Sequence, residues 1–289
     1  MHYKNIAVFG KYQDKSVTAH VAELVTFLVE QKINVYLGAT TAKTKVLDKL
    51  PVQCIADEDL KNRIELGIVL GGDGTLLSVA RKLAPLGIPI IGVNLGQLGF
   101  LTDVPITSMN QDIIKILRGV HTEEQRMMLL LEVLRDGELV ASGHALNDIV
   151  ISRHNADRLI AWSAQVNGKL VISARSDGVI VSTPTGSTAY ALSAGGPILD
   201  PQLDAVVLVP ICPHTLSNRP IALRANSVIE FDVTDIEQAD AHVSADGQRL
   251  CDLRSNEVIR ISRSQHSLKL IKMTESDHYE TLREKLRWG

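Results

Sequence analysis

Along the first 120 residues two hydrophobic periods alternate. The stretches "NIAVFG" (5–10), "INVYLG" (33–38), "LGIVLGG" (66–72) and "IPIIGVN" (88–94) are short, nearly unbroken apolar runs, which predict buried strands. Between them Val17, Val21, Leu24, Val25 and Leu28 fall on one helical face, as do Leu76, Ala80 and Leu83 and, further on, Ile113, Ile114 and Leu117. Strand–helix alternation with strands apolar on both sides predicts an α/β domain with a doubly wound, mostly parallel sheet.

The period changes near Met127. "MLLLEVLRDGELVASGHALNDIVISR" reads as strand, Asp136-Gly137 turn, strand, and "AWSAQVNGKLVISARS" repeats the pattern around Asn167-Gly168. In "VIEFDV" Ile229, Phe231 and Val233 alternate with Glu230 and Asp232, and Ile259 and Ile261 flank Arg260. A mainly antiparallel β domain is expected over 121–267, after an α/β domain over 1–120. "SLKLIKM" as a strand and Tyr279, Leu282 and Leu286 as a helical face bring the tail, 268–289, back to the first domain.

Composition narrows the function classes. The 289 residues are 45% hydrophobic, enough for a large core, and carry a net charge of −3. That balance, with aromatics at 4%, lacks the basic footprint and stacking surface of a nucleic-acid binder. Cys54, Cys212 and Cys251 are scattered and odd in number, which argues against a disulfide framework or zinc site and for a reducing cytoplasm. They read as small apolar side chains. No signal peptide is expected from "MHYKNIAVFG". Gly178 to Leu199 is uncharged over 22 residues, but its prolines, glycines and hydroxyl residues argue against a membrane helix. The P-loop, GxGxxG, HExxH and GxSxG patterns are absent.

Four segments carry candidate chemistry. In "IVLGGDGTLLSVARKL" (68–83) a strand ends at Gly71, Gly72 and Gly74 and a helix begins. Helix N-terminal N–H groups favour phosphate, and glycine lets a ligand approach the backbone. Asp73 beside a phosphate would hold magnesium or accept a proton from an attacking hydroxyl, and Thr75 would cap the helix. A plain turn with a capping aspartate is the alternative. Asn147-Asp148 interrupts a β-like run and offers donors and acceptors to a sugar diol, or else forms a bulge or turn between two short strands. Arg175 to Pro201 exposes small and hydroxylated residues to a flat polar ligand, or else is a Gly/Pro-rich loop with a short helix. "SADGQ" (244–248) reads first as a hairpin turn.

Taken in order, "GGDG", "NLGQLGFLTD" (94–103), Asn147-Asp148, "RSDGVIVSTPTGSTAYALSAGGPI" and "PHTLSNRP" (213–220) resemble the NAD kinase family over approximately residues 5 to 288. Lipid kinases and phosphofructokinases carry similar tetrapeptides; the segment from Asp177 to Pro197 makes the resemblance specific. It implies magnesium-ATP-dependent phosphorylation of the 2′-hydroxyl on the adenosine ribose of NAD⁺, giving NADP⁺. It also implies a homo-oligomer, dimer or tetramer; the lack of a basic amphipathic face separately argues against a membrane partner. By motif, Asp73 matches the proton acceptor, with Gly74 beside it. Asn147 and Asp148 match the pair that holds the substrate, and Asp177 a residue near the nicotinamide end. Thr185, Thr188, Ala189, Tyr190, Ala191, Leu192 and Ser193 match the NAD-contacting run. Arg158, Arg175 and Gln248 match further binding positions, and Phe100 a wall of the pocket. No protein residue is assigned as a direct metal ligand. Product and substrate would share one pocket, so feedback by NADP(H) is expected.

Overall fold

In the computed structural model, which describes residues 3–10, 15–39, 41, 52–96, 98–154, 158–215, 217–234, 241–254 and 256–288, the apolar runs of the first half form parallel strands. The chain divides into two units, Met1–Gln125 with Ser267–Gly289, and Arg126–His266. The first unit runs β1 (Asn5–Gly10), α1 (Lys15–Glu30), β2 (Asn34–Gly38), β3 (Gln53–Ile55), a single turn α2 (Leu60–Arg63), β4 (Leu66–Leu70), α3 (Asp73–Leu83), β5 (Ile90–Asn94), β6 (Val104–Pro105) and α4 (Met109–Leu117). The strands pair in the order β3-β2-β1-β4-β5-β6, every pair parallel. β4 and β5 are buried at every residue, which is why both lack polar alternation.

The second unit is antiparallel. β7 (Thr122–Arg135) leads into it, followed by β8 (Glu138–Ala145), β9 (Asp148–Arg153), β10 (Ile160–Val166), β11 (Lys169–Ser176), β12 (Gly178–Ser182), the short helix α5 (Tyr190–Ser193), β13 (Ala205–Ile211), β14 (Ile221–Arg224), β15 (Ile229–Thr234), β16 (Ala241–Ala245), β17 (Gln248–Asp252) and β18 (Glu257–Lys272). One of its sheets has the order β14-β13-β12-β9-β16-β17. Against it, β10 pairs with β11 and β15, and β15 with the start of β18. β18 serves both units: Val258 to Ile261 pair antiparallel with β15, whereas Leu270 and Ile271 pair parallel with β5. The tail ends in α6 (His278–Leu286) in the first unit.

Three hairpins share one local cause. Asp136, Asn167 and Asp246 have φ of 51°, 50° and 47°, and the glycines that follow have 83°, 74° and 72°. Two consecutive positive φ values give the primed turn whose twist matches the flanking strands, and an Asx-Gly pair adopts it most readily.

The main core of the second unit lies between its sheets, drawing Leu129, Leu131, Ile151, Trp162, Val181, Phe231 and Ile259 from both. The Trp162 and Phe231 ring centroids lie 5.9 Å apart. The opposite face of the β12 sheet is also covered, with Val150, Ile180, Val207 and Val209 under Ala191 and Leu199. β12 is therefore buried at every residue. Pro210 stands in β13 opposite Val179 of β12, past the residues Ala205 to Leu208 that pair with β14, so β13 is a central strand only as far as Leu208.

Several sequence expectations need correction. Much of the neutral stretch after Gly178 is neutral because it is core: β12, Thr183, Thr185, Ser187 and Ala191 are all buried. Thr75 does not cap α3; Gly72 is the N-cap, without a side-chain bond, and Thr75 is already helical. The buried face of α4 is Met109, Asp112, Ile113, Ile116 and Leu117, with Ile114 at its margin. Tyr279 is 58% exposed; α6 buries Thr281 and Leu282 instead. Cys54 and Cys212 are exposed rather than packed as apolar side chains. Among the described residues no helix is long and apolar enough to cross a membrane.

Phe231 is fully buried at the centre of the second unit, so Phe231→Ala should cost about 3–5 kcal/mol of that unit's stability. Trp162 is 2% exposed and Trp288 53%, so loss of the buried tryptophan's blue-shifted emission during urea unfolding reports this transition. A loss below about 1 kcal/mol would contradict the core assignment.

Candidate active site

In the first unit the site grows from the β4–α3 junction. The N–H groups of Thr75 and Leu76 both donate to the Gly72 carbonyl, at 3.0 and 3.2 Å. The N–H groups of Asp73 and Gly74 thus precede the first intrahelical bond, where a helix offers donors to an anion. The three glycines differ. A Cβ on Gly71 would collide with Thr75, whereas one on Gly72 or Gly74 would meet nothing within 4 Å. Gly71 is required by packing; Gly72 and Gly74 leave backbone open to a ligand.

Asp73 is held rather than free. Its Oδ2 accepts the Phe100 N–H at 3.0 Å and its Oδ1 the Leu101 N–H at 3.1 Å. Each carboxylate oxygen retains a further lone pair, so acceptor capacity remains. Gly99 allows this clamp, since a Cβ there would run into the Asp73 carboxylate and the Thr102 hydroxyl. Phe100 is half-buried, with its ring centroid 6.4 Å from that of His278 and 5.8 Å from the Lys285 ammonium.

In the second unit the site grows from the bend between β8 and β9. Asn147 occupies the bend and Asp148 opens β9. The backbone carbonyls are taken up on one side: Thr183 Oγ1 donates to the Leu146 carbonyl at 2.6 Å and Thr183 N to that of Asn147 at 2.9 Å. The N–H groups are taken up on the other. Asp246 Oδ2 accepts that of Leu146 at 3.0 Å, and its Oδ1 those of Asn147 and Asp148 at 2.7 and 3.2 Å. Gly186 packs on this bend so closely that a Cβ would strike the Asn147 backbone. Asn147 Oδ1 is buried with no hydrogen-bond partner. Asp148 is 5% exposed, and burial first and the Asp246 charge second push its carboxyl up to about 7.

The expected NAD-contacting run divides by exposure. Thr185 is buried, and its hydroxyl accepts from the buried Arg126 Nη1 at 3.4 Å. Ala191 is fully buried, so its side chain serves packing. Thr188, Ala189 and Leu192 are half-buried, while Tyr190 and Ser193 are exposed. Burial, then Cys212, Asp177 and Asp148, push the Tyr190 hydroxyl above its ordinary range, so these four groups share one neighbourhood. Asp177 is paired with Arg153 at 2.9 Å. Arg175 is exposed on β11 and lines a cavity of about 460 Å³ with Trp162, Ser163, His214 and Thr215. Arg158, before β10, and Gln248, opening β17, are exposed.

Sequence reasoning missed Asp246, Thr183 and Arg126. Asp246 sits in "SADGQ", where Asp-Gly signals the turn but nothing local shows that its carboxylate reaches residues about 100 positions earlier in the chain. Arg126 lies in an exposed-looking "TEEQRMM" run. Among the described residues no group of three or more His, Cys, Asp or Glu side chains gathers as a metal centre.

The family model for the ATP-NAD kinase N-terminal domain matches residues 6–121, and that for the ATP-NAD kinase C-terminal domain matches 146–273. The chain is 43% identical over 287 residues to an NAD kinase of Nitrosospira multiformis, covering 99% of this chain and 96% of the relative. It is 42% identical to an NAD kinase of Thiobacillus denitrificans, covering 99% and 98%. Among solved structures it resembles yeast NADH kinase complexed with NADH, with a TM-score of 0.91, 26% identity and coverage of 99% of this chain and 88% of that one. An NAD kinase from Archaeoglobus fulgidus in complex with ATP gives a TM-score of 0.75 at 27% identity, covering 98% of each chain. With family models matching in both units and such relatives along nearly its whole length, the chain belongs to the NAD kinase family.

Proposed function

We propose that the protein transfers the γ-phosphoryl group of ATP to the 2′-hydroxyl of the adenosine ribose of NAD⁺, giving NADP⁺ and ADP. The observation that carries this is the pairing of a clamped Asp73 with unobstructed backbone at Gly72 and Gly74, at the N-terminus of α3. In this reading Gly72 and Gly74 let phosphate approach the helix N–H groups. Asp73 accepts a hydrogen bond from the attacking 2′-hydroxyl, orients it, and receives its proton as transfer proceeds. The Phe100 and Leu101 N–H bonds keep the carboxylate in one orientation, so little reorganisation is needed at reaction.

The second unit is assigned the dinucleotide. Asn147 Oδ1 is a buried acceptor without a partner, which suits a ribose hydroxyl. Asp148 in its ionised form accepts from the same diol. Tyr190 and Asp177 offer exposed or half-buried polar surface in its neighbourhood, and Ser193 is exposed on α5. Asn147 and Asp148 as substrate ligands, the run from Thr185 to Ser193, and Phe100, Arg158, Arg175 and Gln248 as further contacts rest on their match to the family's motifs.

Magnesium enters with ATP, and bound there it would neutralise phosphate charge during transfer. The resemblance supports a homo-oligomer with NADP(H) as product and feedback ligand. Three free cysteines suit a reducing cytoplasm.

Asp73→Asn keeps the side chain's shape and one acceptor oxygen, but an amide cannot take the proton. NADP⁺ formation should fall about 10²-fold or more while the thermal midpoint stays within a few degrees. An unchanged kcat in a coupled NADP⁺ assay would refute the role.

The pH dependence follows from Asp148, whose carboxyl titrates at about 7. The protonated form predominates below that value and the ionised acceptor above it. KM for NAD⁺ should therefore fall as pH rises from 6 to 8, and Asp148→Asn should flatten the curve. The same slope in wild type and variant would remove Asp148 from the ribose.

A further inference from the structure

We propose that Asp246 is a positioning residue that sets the Asn147–Asp148 pair for the dinucleotide, a role that rests on the NAD⁺ assignment above. Four hydrogen bonds tie this one residue to three consecutive residues of the bend. Its carboxylate accepts the N–H groups of Leu146, Asn147 and Asp148, and its own N–H donates to the Asp148 carbonyl at 2.9 Å. Leu146 and Asn147 lie between strands, so no ladder supplies these acceptors. On the far side Thr183 and Gly186 close off the carbonyls and the backbone. The bend can shift only if one of these walls gives way, and Asp246 is the charged one.

The turn itself supports the argument. Asp246 and Gly247 form a primed hairpin turn like Asp136-Gly137, with the same signs of φ. The β7–β8 hairpin leaves Asp136 exposed to solvent, whereas the β16–β17 hairpin brings the Asp246 carboxylate onto the bend between β8 and β9. Twist alone does not explain aspartate at 246, because glycine or asparagine would satisfy the backbone equally well. What they lack is a carboxylate whose two oxygens span three successive N–H groups.

The decisive variant is Asp246→Gly, which relaxes the positive φ, keeps the turn and deletes the carboxylate. Asp246→Asn keeps one acceptor oxygen and should be intermediate. Asp136→Gly makes the same backbone change in the other hairpin and serves as control. In Asp246→Gly, KM for NAD⁺ should rise about tenfold or more while KM for ATP stays close to wild type. Amide exchange at Leu146, Asn147 and Asp148, followed by NMR, should accelerate, with Asp246→Asn between the two and Asp136→Gly unchanged. Unchanged exchange at these three amides overturns the anchoring. Unchanged KM for NAD⁺, or an equal rise for ATP with a lowered thermal midpoint, overturns the positioning role. Wild-type protein that makes no NADP⁺ overturns the functional reading, and with it the ligand named here.

Discussion

A backbone N–H that leaves its ladder must find another acceptor, and at both centres assigned to chemistry that acceptor is an aspartate carboxylate. Asp73 takes the N–H groups of Phe100 and Leu101, and Asp246 those of Leu146, Asn147 and Asp148. Leaving one such group unpaired when buried costs about 1–3 kcal/mol, and charge-assisted bonds of this kind are stronger than neutral ones. The loops after β5 and after β8 therefore hold fixed shapes without being strands or helices. The surrounding sheets supply rigidity; these carboxylates carry it into the loops.

The two aspartates differ in what they have left to offer. Asp73 keeps lone pairs beyond those its clamp uses, and in the proposed reaction these accept from the substrate hydroxyl. Asp246 spends its carboxylate on the bend, and its charge acts on a neighbour instead. Asp148, already desolvated, is pushed further toward its neutral form by that charge. Two carboxyl groups in contact with one bend are an unfavourable arrangement for stability, since the protein gives up charge solvation to keep them there. Such a cost is typical of a site held for ligand rather than for folding.

Sequence legibility followed the range of the interactions involved. Strand–helix alternation and the Asx-Gly turns depend on neighbours within a few residues, and four of the parallel strands of the first unit, β1, β2, β4 and β5, and the three hairpins were readable from them, whereas the short edge strands β3 and β6 were not. The strand pattern misled where burial was two-sided. Gly178 to Ser182 reads as a neutral stretch inviting a ligand, but the sheet is covered on both faces there and the lack of charge is what core demands. Tyr279 misled in the opposite sense, because the helix cap at Asp277 and the burial of Thr281 and Leu282 turn its ring outward. Asp246 was hidden for a third reason. A hairpin turn already accounts for Asp-Gly locally, and its partners lie across the fold, where no sequence period reaches.

The glycines show why structure was needed to separate fold from chemistry. "GGDG" presents three residues of one type, and the sequence gives no ground for distinguishing them. Placing a Cβ on each does. Gly71 cannot carry one because Thr75 fills the space, and Gly99, Gly178 and Gly186 are equally constrained by neighbouring atoms of the same chain. Gly72 and Gly74 have room, and neither has the positive φ that would make glycine a conformational requirement. Glycine inside a helix is less stable than alanine by about 1 kcal/mol, and no contact among the described residues accounts for glycine at position 74, in the first turn of α3. In the proposed reaction the open backbone there receives a ligand. A phosphate drawn to the open N–H groups of Asp73 and Gly74 is of the right size and charge to be that ligand.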